Sequence, residues 1–167
     1  MWQMIADRLK DHPERLDVAR TLIENGLSIK ESKIYCNDIE IPPIRIARVA
    51  KVDRRTVSHT IHMIEDDENL SKIFNNIRSS GHSLRDVARY LELGVVEIIP
   101  TDAKTHGILA QASSLIAKKN ISIRQAIVDD PELSPEPKLM LITEKKMPAE
   151  LIPEFLKIEG VSKVSIY

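Results

Sequence analysis

The chain has 167 residues with 24 Lys and Arg against 25 Asp and Glu, a formal charge of −1, so it lacks the excess positive charge a nonspecific histone-like binder needs. Its 43% hydrophobic content with only 4% aromatics predicts a core of Ile, Leu, Val and Ala in one medium domain or two small ones. A single cysteine, Cys36, excludes an internal disulfide and a zinc–cysteine cluster; no apolar run approaches the ~20 residues of a bilayer span, the start Met1-Trp2-Gln3-Met4 is unlike a signal peptide, and a cytoplasmic setting fits best.

The first segment, to about Leu27, reads as helical, with apolar positions at Ile5, Leu9, Leu16, Ala19, Leu22 and Ile23. Pro13 starts a second helix there and Gly26 ends it. Lys33-Ile34-Tyr35-Cys36 and Ile39-Glu40-Ile41 flank Asn37-Asp38 and predict a small hairpin. Cys36 in that setting is a packed thiol rather than a nucleophile. Pro42-Pro43 then stops the strand and opens a helix.

Residues 44–64 read as two short helices joined by a tight turn. Ile46, Ala47, Val49 and Ala50 give the first a small-residue face for a crossing helix. Asp53 can cap the second by accepting from the amide of Arg55 or Thr56. Val57, Ile61 and Ile64 recur at helical spacing and turn inward. Arg54, Arg55, Thr56, Ser58, His59 and His62 are left at the start and outer side of that helix, and Arg45, Arg48 and Lys51 precede it. A helix-turn-helix puts base-reading and phosphate-holding groups in this place. Residues 45–62 hold five Lys or Arg and one Asp, a local charge of +4 in a chain near neutrality, which is the footprint of phosphate contact. The plainer alternative is a helical hairpin with a solvated basic face. His59 and His62, one turn apart with Glu65 or Asp66 a turn further on, have metal-ligand spacing, but two exposed histidines on a DNA-facing helix fit better. The run Glu65-Asp66-Asp67-Glu68 repels DNA, so a contact surface ends near His62.

Leu70, Ile73, Phe74 and Ile77 continue a helical stripe, Ser80-Gly81-His82 breaks it, and Ser83 followed by Asp86 predicts a capped helix through Val87 and Leu91. Gly94 closes it. The boundary is placed there, giving domains 1–93 and 94–167.

From Val95 the periodicity changes. Strands are predicted at 95–99, 121–128, 139–143 and 161–167, with helices at 107–119 and 148–159, where Pro153 either starts or kinks the regular helix. This β-α-β-β-α-β order is the ferredoxin-like pattern, so the fold class is α+β. Val96, Ile98, Ile121, Ile123, Ile127, Val164 and Ile166 are expected to face the helices. Glu97, Arg124, Lys163 and Ser165 fall on the opposite face, with Glu97 and Arg124 pairing across it or across a dimer interface. No Gly-rich phosphate loop, nucleophile elbow or paired-carboxylate constellation is visible, so neither an enzyme nor a bound cofactor is expected.

The segments Ile46-Ala47-Arg48 through Val52-Asp53-Arg54-Arg55-Thr56-Val57, Ile121-Ser122-Ile123-Arg124-Gln125-Ala126 with Asp129-Asp130-Pro131, and Gly160-Val161-Ser162-Lys163-Val164 resemble an archaeal pairing of a helix-turn-helix domain with an ACT domain. Its members are predicted regulators of amino-acid metabolism. The resemblance covers nearly the whole chain and implies a small-molecule sensor that binds an amino acid between paired domains. The ACT pattern carries an acid three positions before a helix-opening glycine. Gly107 fits the glycine, but Lys104 stands three before it and Asp102 two earlier still, so the loop 101–106 is longer than the pattern.

A site at that loop also has a physical basis. Free amides after Gly107 favour a carboxylate, Gly107 permits close backbone approach, and Asp102 can hold an ammonium. Thr105, His106, Ile108 and Arg124 complete the candidate ligand set. The alternative is a surface loop with no ligand.

The sequence reading is therefore a ligand-responsive, homodimeric transcription regulator whose partners are double-stranded DNA and a small-molecule effector, with no membrane partner. A second reading is an ACT-type allosteric subunit that binds a biosynthetic enzyme. The leucine-responsive regulator family shares the same plan, but the helical material before Lys33 and between Leu70 and Leu93 fits it less well.

Overall fold

Proline fixes where three helices begin. Pro13, Pro43 and Pro153 each stand in a first helical turn, where a missing N–H costs no intrahelical bond. The computed structural model describes residues 1–167, which divide into two units, Met1–Gly81 and His82–Tyr167. The chain has seven α-helices and two antiparallel sheets, and no helix is long and apolar enough to cross a membrane.

In the first unit, α1 (Trp2–Leu9) and α2 (Pro13–Glu24) turn Ile5, Leu9, Val18 and Leu22 into the core. The guanidinium of Arg20 lies 4.4 Å from the centre of the Trp2 ring, a cation–π contact that ties the two helices. Gly26 takes φ +60 after α2, and a Cβ there would stand 2.6 Å from the Ser79 Cα. Three strands follow, β1 (Leu27–Lys30), β2 (Lys33–Cys36) and β3 (Ile39–Ile41), in spatial order β1-β2-β3. The β2–β3 hairpin turns at Asn37-Asp38 with Asn37 at φ +54. Strand β1 was not anticipated. Its turn, Glu31-Ser32, has φ of +49 and +58, the backbone of a type I′ hairpin, but lacks the Asn-Gly signature that marks such turns in a sequence.

Helices α3 (Pro43–Ala50), α4 (Arg54–Asp66) and α5 (Glu68–Asn76) complete the unit. Helix α2 packs on both α3 and α4, which also pack on each other. Val57, Ile61 and Ile64 of α4 are buried, as are Leu70 and Phe74 of α5. The small-residue face expected on α3 is narrower than its spacing suggested. Ile46 and Ala47 are buried, Ala50 is half-buried, and Val49 is 65% exposed.

The second unit contains β4 (Gly94–Pro100), α6 (Ile108–Ala117), β5 (Ile123–Val128), β6 (Leu139–Thr143), α7 (Ile152–Leu156) and β7 (Val161–Ile166). The strands lie in the order β5-β6-β4-β7, every neighbouring pair antiparallel. Both helices share one face. Val96, Ile98, Leu139 and Leu141 of the sheet pack there with Ala112, Ile116 and Phe155. Pro153 starts α7 rather than kinking a longer helix; the residues before it, Ala149–Leu151, form a 3-10 turn.

On the opposite face, Val95, Met140 and Ile142 pack with Leu84, Ala88 and Leu93. Residues 84–93 thus belong to the second unit, and the chain divides at Gly81, earlier than the Gly94 boundary expected. The helix expected through Val87 and Leu91 is absent; one 3-10 turn, Ala88–Tyr90, stands in its place. Gln125 of β5 explains this. Its side chain accepts from Leu84 N–H at 2.9 Å and donates to the His82 carbonyl at 2.7 Å, so the start of the segment is tied to the sheet instead of coiling.

A register shift between Ile123 and Gln125 leaves Arg124 as the extra residue of a bulge, which flips every later side chain. Ile123 packs toward the helices, but Ile127 packs on the opposite face, contrary to the alternation read from sequence. Glu97 is 7% exposed on that face and does not pair with Arg124. Its Oε1 lies 2.6 Å from Arg85 Nη2 and 3.6 Å from Lys138 Nζ. No donor is aligned to hydrogen-bond that oxygen, so the contacts are charge pairs rather than directed bonds.

Candidate nucleic-acid interface and effector cleft

Helix α3 ends at Lys51, which adopts the left-handed conformation (φ 56, ψ 40) usually given to glycine. The Val52 N–H closes the turn onto the Ala47 carbonyl at 3.0 Å. Asp53 then caps α4, its Oδ1 accepting from the Arg55 N–H at 2.7 Å. These two local devices set where α4 starts. Because Val57, Ile61 and Ile64 face inward, Arg54, Arg55, His59 and His62 are exposed and Ser58 is half-exposed. Arg45, Arg48 and Lys51 are exposed on the preceding helix and turn. None of the five cations forms an intramolecular ion pair.

Thr56 differs from the rest of the set. It is half-buried and its hydroxyl donates to Glu14 Oε2 of α2 at 3.3 Å, so it braces α4 rather than projecting from it. Asp53, Arg54, Arg55, Ser58 and His59 together wall a shallow hollow at the N-terminal end of α4. His62 Nδ1 lies 4.0 Å from Glu65 Oε2, and both Glu65 oxygens accept from Ser32. No group of three or more His, Cys, Asp or Glu is placed to hold a metal ion.

In the second unit, Gly107 precedes α6 at φ +84 and borders a cleft of about 240 Å3. Ile98, Ile108, Leu109, Val128 and Leu139 give it an apolar lining, with Thr105, Asp129 and Lys138 as polar members. Val128 is 62% exposed at its mouth. Asp129 is held in place: its Oδ2 accepts from the Lys138 N–H at 3.3 Å, and its own N–H donates to the Lys138 carbonyl at 3.0 Å.

The sequence-derived ligand set divides here. Thr105, Gly107 and Ile108 line the cleft; Asp102, His106 and Arg124 do not. Asp102 instead accepts from the Lys104 N–H at 2.9 Å within its own loop, and Arg124 sits exposed at the β5 bulge. The carboxylate that borders the cleft is Asp129, adjacent in sequence to the Val128 wall. Position alone, just past the end of a strand, was the available signal for it.

No protein-family model matches the chain, and no curated protein matches it. Solved structures similar to it include E. coli AsnC, at 13% identity over 90% of this chain and 88% of that one with a TM-score of 0.33. An AsnC family transcriptional regulator from Agrobacterium tumefaciens is 13% identical over 92% and 86%, TM-score 0.30. A transcriptional regulator from Neisseria meningitidis, solved as a complex with L-Met, is 10% identical over 92% and 86%, TM-score 0.27. Likeness at this level assigns no role to any residue here, and the functional reading rests on the chain's own chemistry.

Proposed function

We propose that the chain is a ligand-responsive, DNA-binding transcription regulator of amino-acid metabolism that acts as a homodimer. In this reading the first unit is a helix-turn-helix module. Helix α4 enters the major groove with Arg54, Arg55, Ser58, His59 and His62 toward bases or phosphates, and Arg45, Arg48 and Lys51 hold the backbone. Residues 94–167 form a ferredoxin-like, ACT-type sensor, whose effector occupies the cleft bordered by Gly107 and Asp129.

The observation that carries the reading is the set of five unpaired, exposed cations on two consecutive helices and the turn between them, in a chain whose net charge is −1. Exposed cations that find no internal carboxylate are free to displace counterions from a polyanion. Fluorescence anisotropy on pooled genomic duplexes tests it: the wild-type chain binds, and the Arg54→Ala/Arg55→Ala variant binds more weakly. Equal binding by the two would remove the interface. A pull-down with and without nuclease addresses the enzyme-subunit alternative, since a protein partner retained after nuclease would favour that reading.

The cleft is tested separately by thermal shift against the proteinogenic amino acids, because a ligand specific for the folded state raises apparent stability by mass action. Val128→Arg, at the exposed mouth, is expected to abolish the shift caused by any effector while leaving the unliganded melting temperature in place.

A further inference from the structure

We infer that the second unit carries another small-molecule site, on the sheet face away from the helices, built for an organic anion of the phosphate monoester class with a flat or apolar body. A cleft of about 630 Å3 opens between the turn that bears Arg85 and Arg89 and the strand end at Val95, within the size range of small-molecule pockets. It lies on the opposite side of the sheet from Gly107 and does not depend on the effector reading above.

The lining fixes the sign of the ligand. Arg85, Arg89 and Lys146 face one acidic side chain, Asp86, a net side-chain charge of +2. The carboxylate behind this wall, Glu97, draws on Arg85 but has Lys138 as a second cation at 3.6 Å. Counting that further acid and base together leaves the +2 unchanged. Arg85 can therefore turn toward a bound anion without leaving Glu97 as a buried charge with no cation nearby, an arrangement that would be costly.

Arg89 is pre-positioned. Its guanidinium lies 4.6 Å from the centre of the Tyr90 ring and donates to the Tyr90 hydroxyl at 2.5 Å, which reduces the rotamer freedom lost on binding. Lys146 has no carboxylate partner. A phosphate monoester carries about −1.5 to −2 at neutral pH, matching the lining, and guanidinium groups bind its oxygens in pairs.

The rest of the cleft suits an apolar body. Leu93 and Val95 line its floor. The Tyr167 ring, 66% exposed, is held beside them because its backbone pairs with Val95 in both directions, at 3.0 and 3.3 Å. A flat group can lie against that ring.

Phenyl phosphate is the probe, titrated into the full chain and followed by amide NMR. Saturable shifts are expected at Leu93, Val95 and Tyr167, inorganic phosphate should bind more weakly, and Arg89→Gln/Lys146→Gln should weaken phenyl phosphate about tenfold or more. Both substituted side chains are exposed; Lys146→Gln alone repeats the experiment should the double variant fail to fold. Absence of saturation, unchanged affinity in the variants, or equal affinity for inorganic phosphate would overturn the assignment. Loss of duplex binding in Arg89→Gln/Lys146→Gln would also overturn it, by giving these cations to nucleic acid.

Discussion

The carboxylate of Glu65 grips Ser32 twice, accepting from its backbone N–H at 2.7 Å and from its hydroxyl at 2.6 Å. One residue near the end of α4 thereby holds the left-handed turn between β1 and β2. Two charge-assisted bonds at an exposed site are each worth less than the 1.5–3 kcal/mol of buried examples, so the pair contributes about 1 kcal/mol. Glu65→Ala should lower the stability of the first unit by about that amount in urea unfolding. Ser32→Ala should lose part of it, because the N–H bond survives. Equal stability of Glu65→Ala and wild type would mean that the turn holds without the carboxylate.

Asp67 caps α5 and sets an acid limit on the same unit. Its carboxyl is held below the usual value first by the Leu70 N–H, then by the Asn69 N–H and the charge of Arg8, with partial desolvation opposing them. A folded-state pKa below the unfolded value gives stability that is present above the unfolded pKa, about 3.9. That stability is lost as pH falls through the folded value. The melting temperature of wild type should therefore drop on acidification below about pH 4 more steeply than that of Asp67→Asn. Parallel curves would show that the cap does not respond to protonation.

Around Glu97, geometry ranks two cations. Arg85 lies 2.6 Å from Oε1 and Lys138 3.6 Å, so Arg85→Ala should destabilise the second unit more than Lys138→Ala does. Arg85 is 44% exposed at its side chain, which places the expected loss nearer 1 kcal/mol than the 3–5 of a fully buried pair. A double-mutant cycle with Glu97→Gln should return a larger coupling for Arg85 than for Lys138. The reverse ranking would contradict the arrangement described.

Local signals made the α3–α4 pair readable. Pro43 at a helix start, Asp53 in reach of the Arg55 amide, and Val57, Ile61 and Ile64 at helical spacing are each decided within a few residues. The β6 limits, Leu139–Thr143, were legible for a similar reason, being one apolar run. Features missed in the sequence depend on distant partners. Strand β1 turns through Glu31-Ser32 with Glu65 as anchor, and residues 82–84 are drawn out by Gln125. The bulge at Arg124 leaves no mark in the spacing of Ile121, Ile123 and Ile127, so alternation alone puts Ile127 on the helix face whereas it packs opposite, and within the chain Glu97 meets Arg85 and Lys138 instead of Arg124. In the effector cleft, Gly107 was found through its backbone role, whereas Asp129 enters the wall through packing that a linear reading does not contain.

Contact between phosphates and the cations of α3, α4 and the turn between them is read out by the salt dependence of duplex binding. Each phosphate contact adds about 0.9 to the slope of log affinity against log salt. Arg54→Ala/Arg55→Ala should both weaken binding and reduce that slope, by about 0.9 for each of the two arginines that meets a phosphate and so by about 1.8 at most, with the fold unchanged by circular dichroism. A variant that binds with the wild-type affinity and the wild-type slope would contradict it.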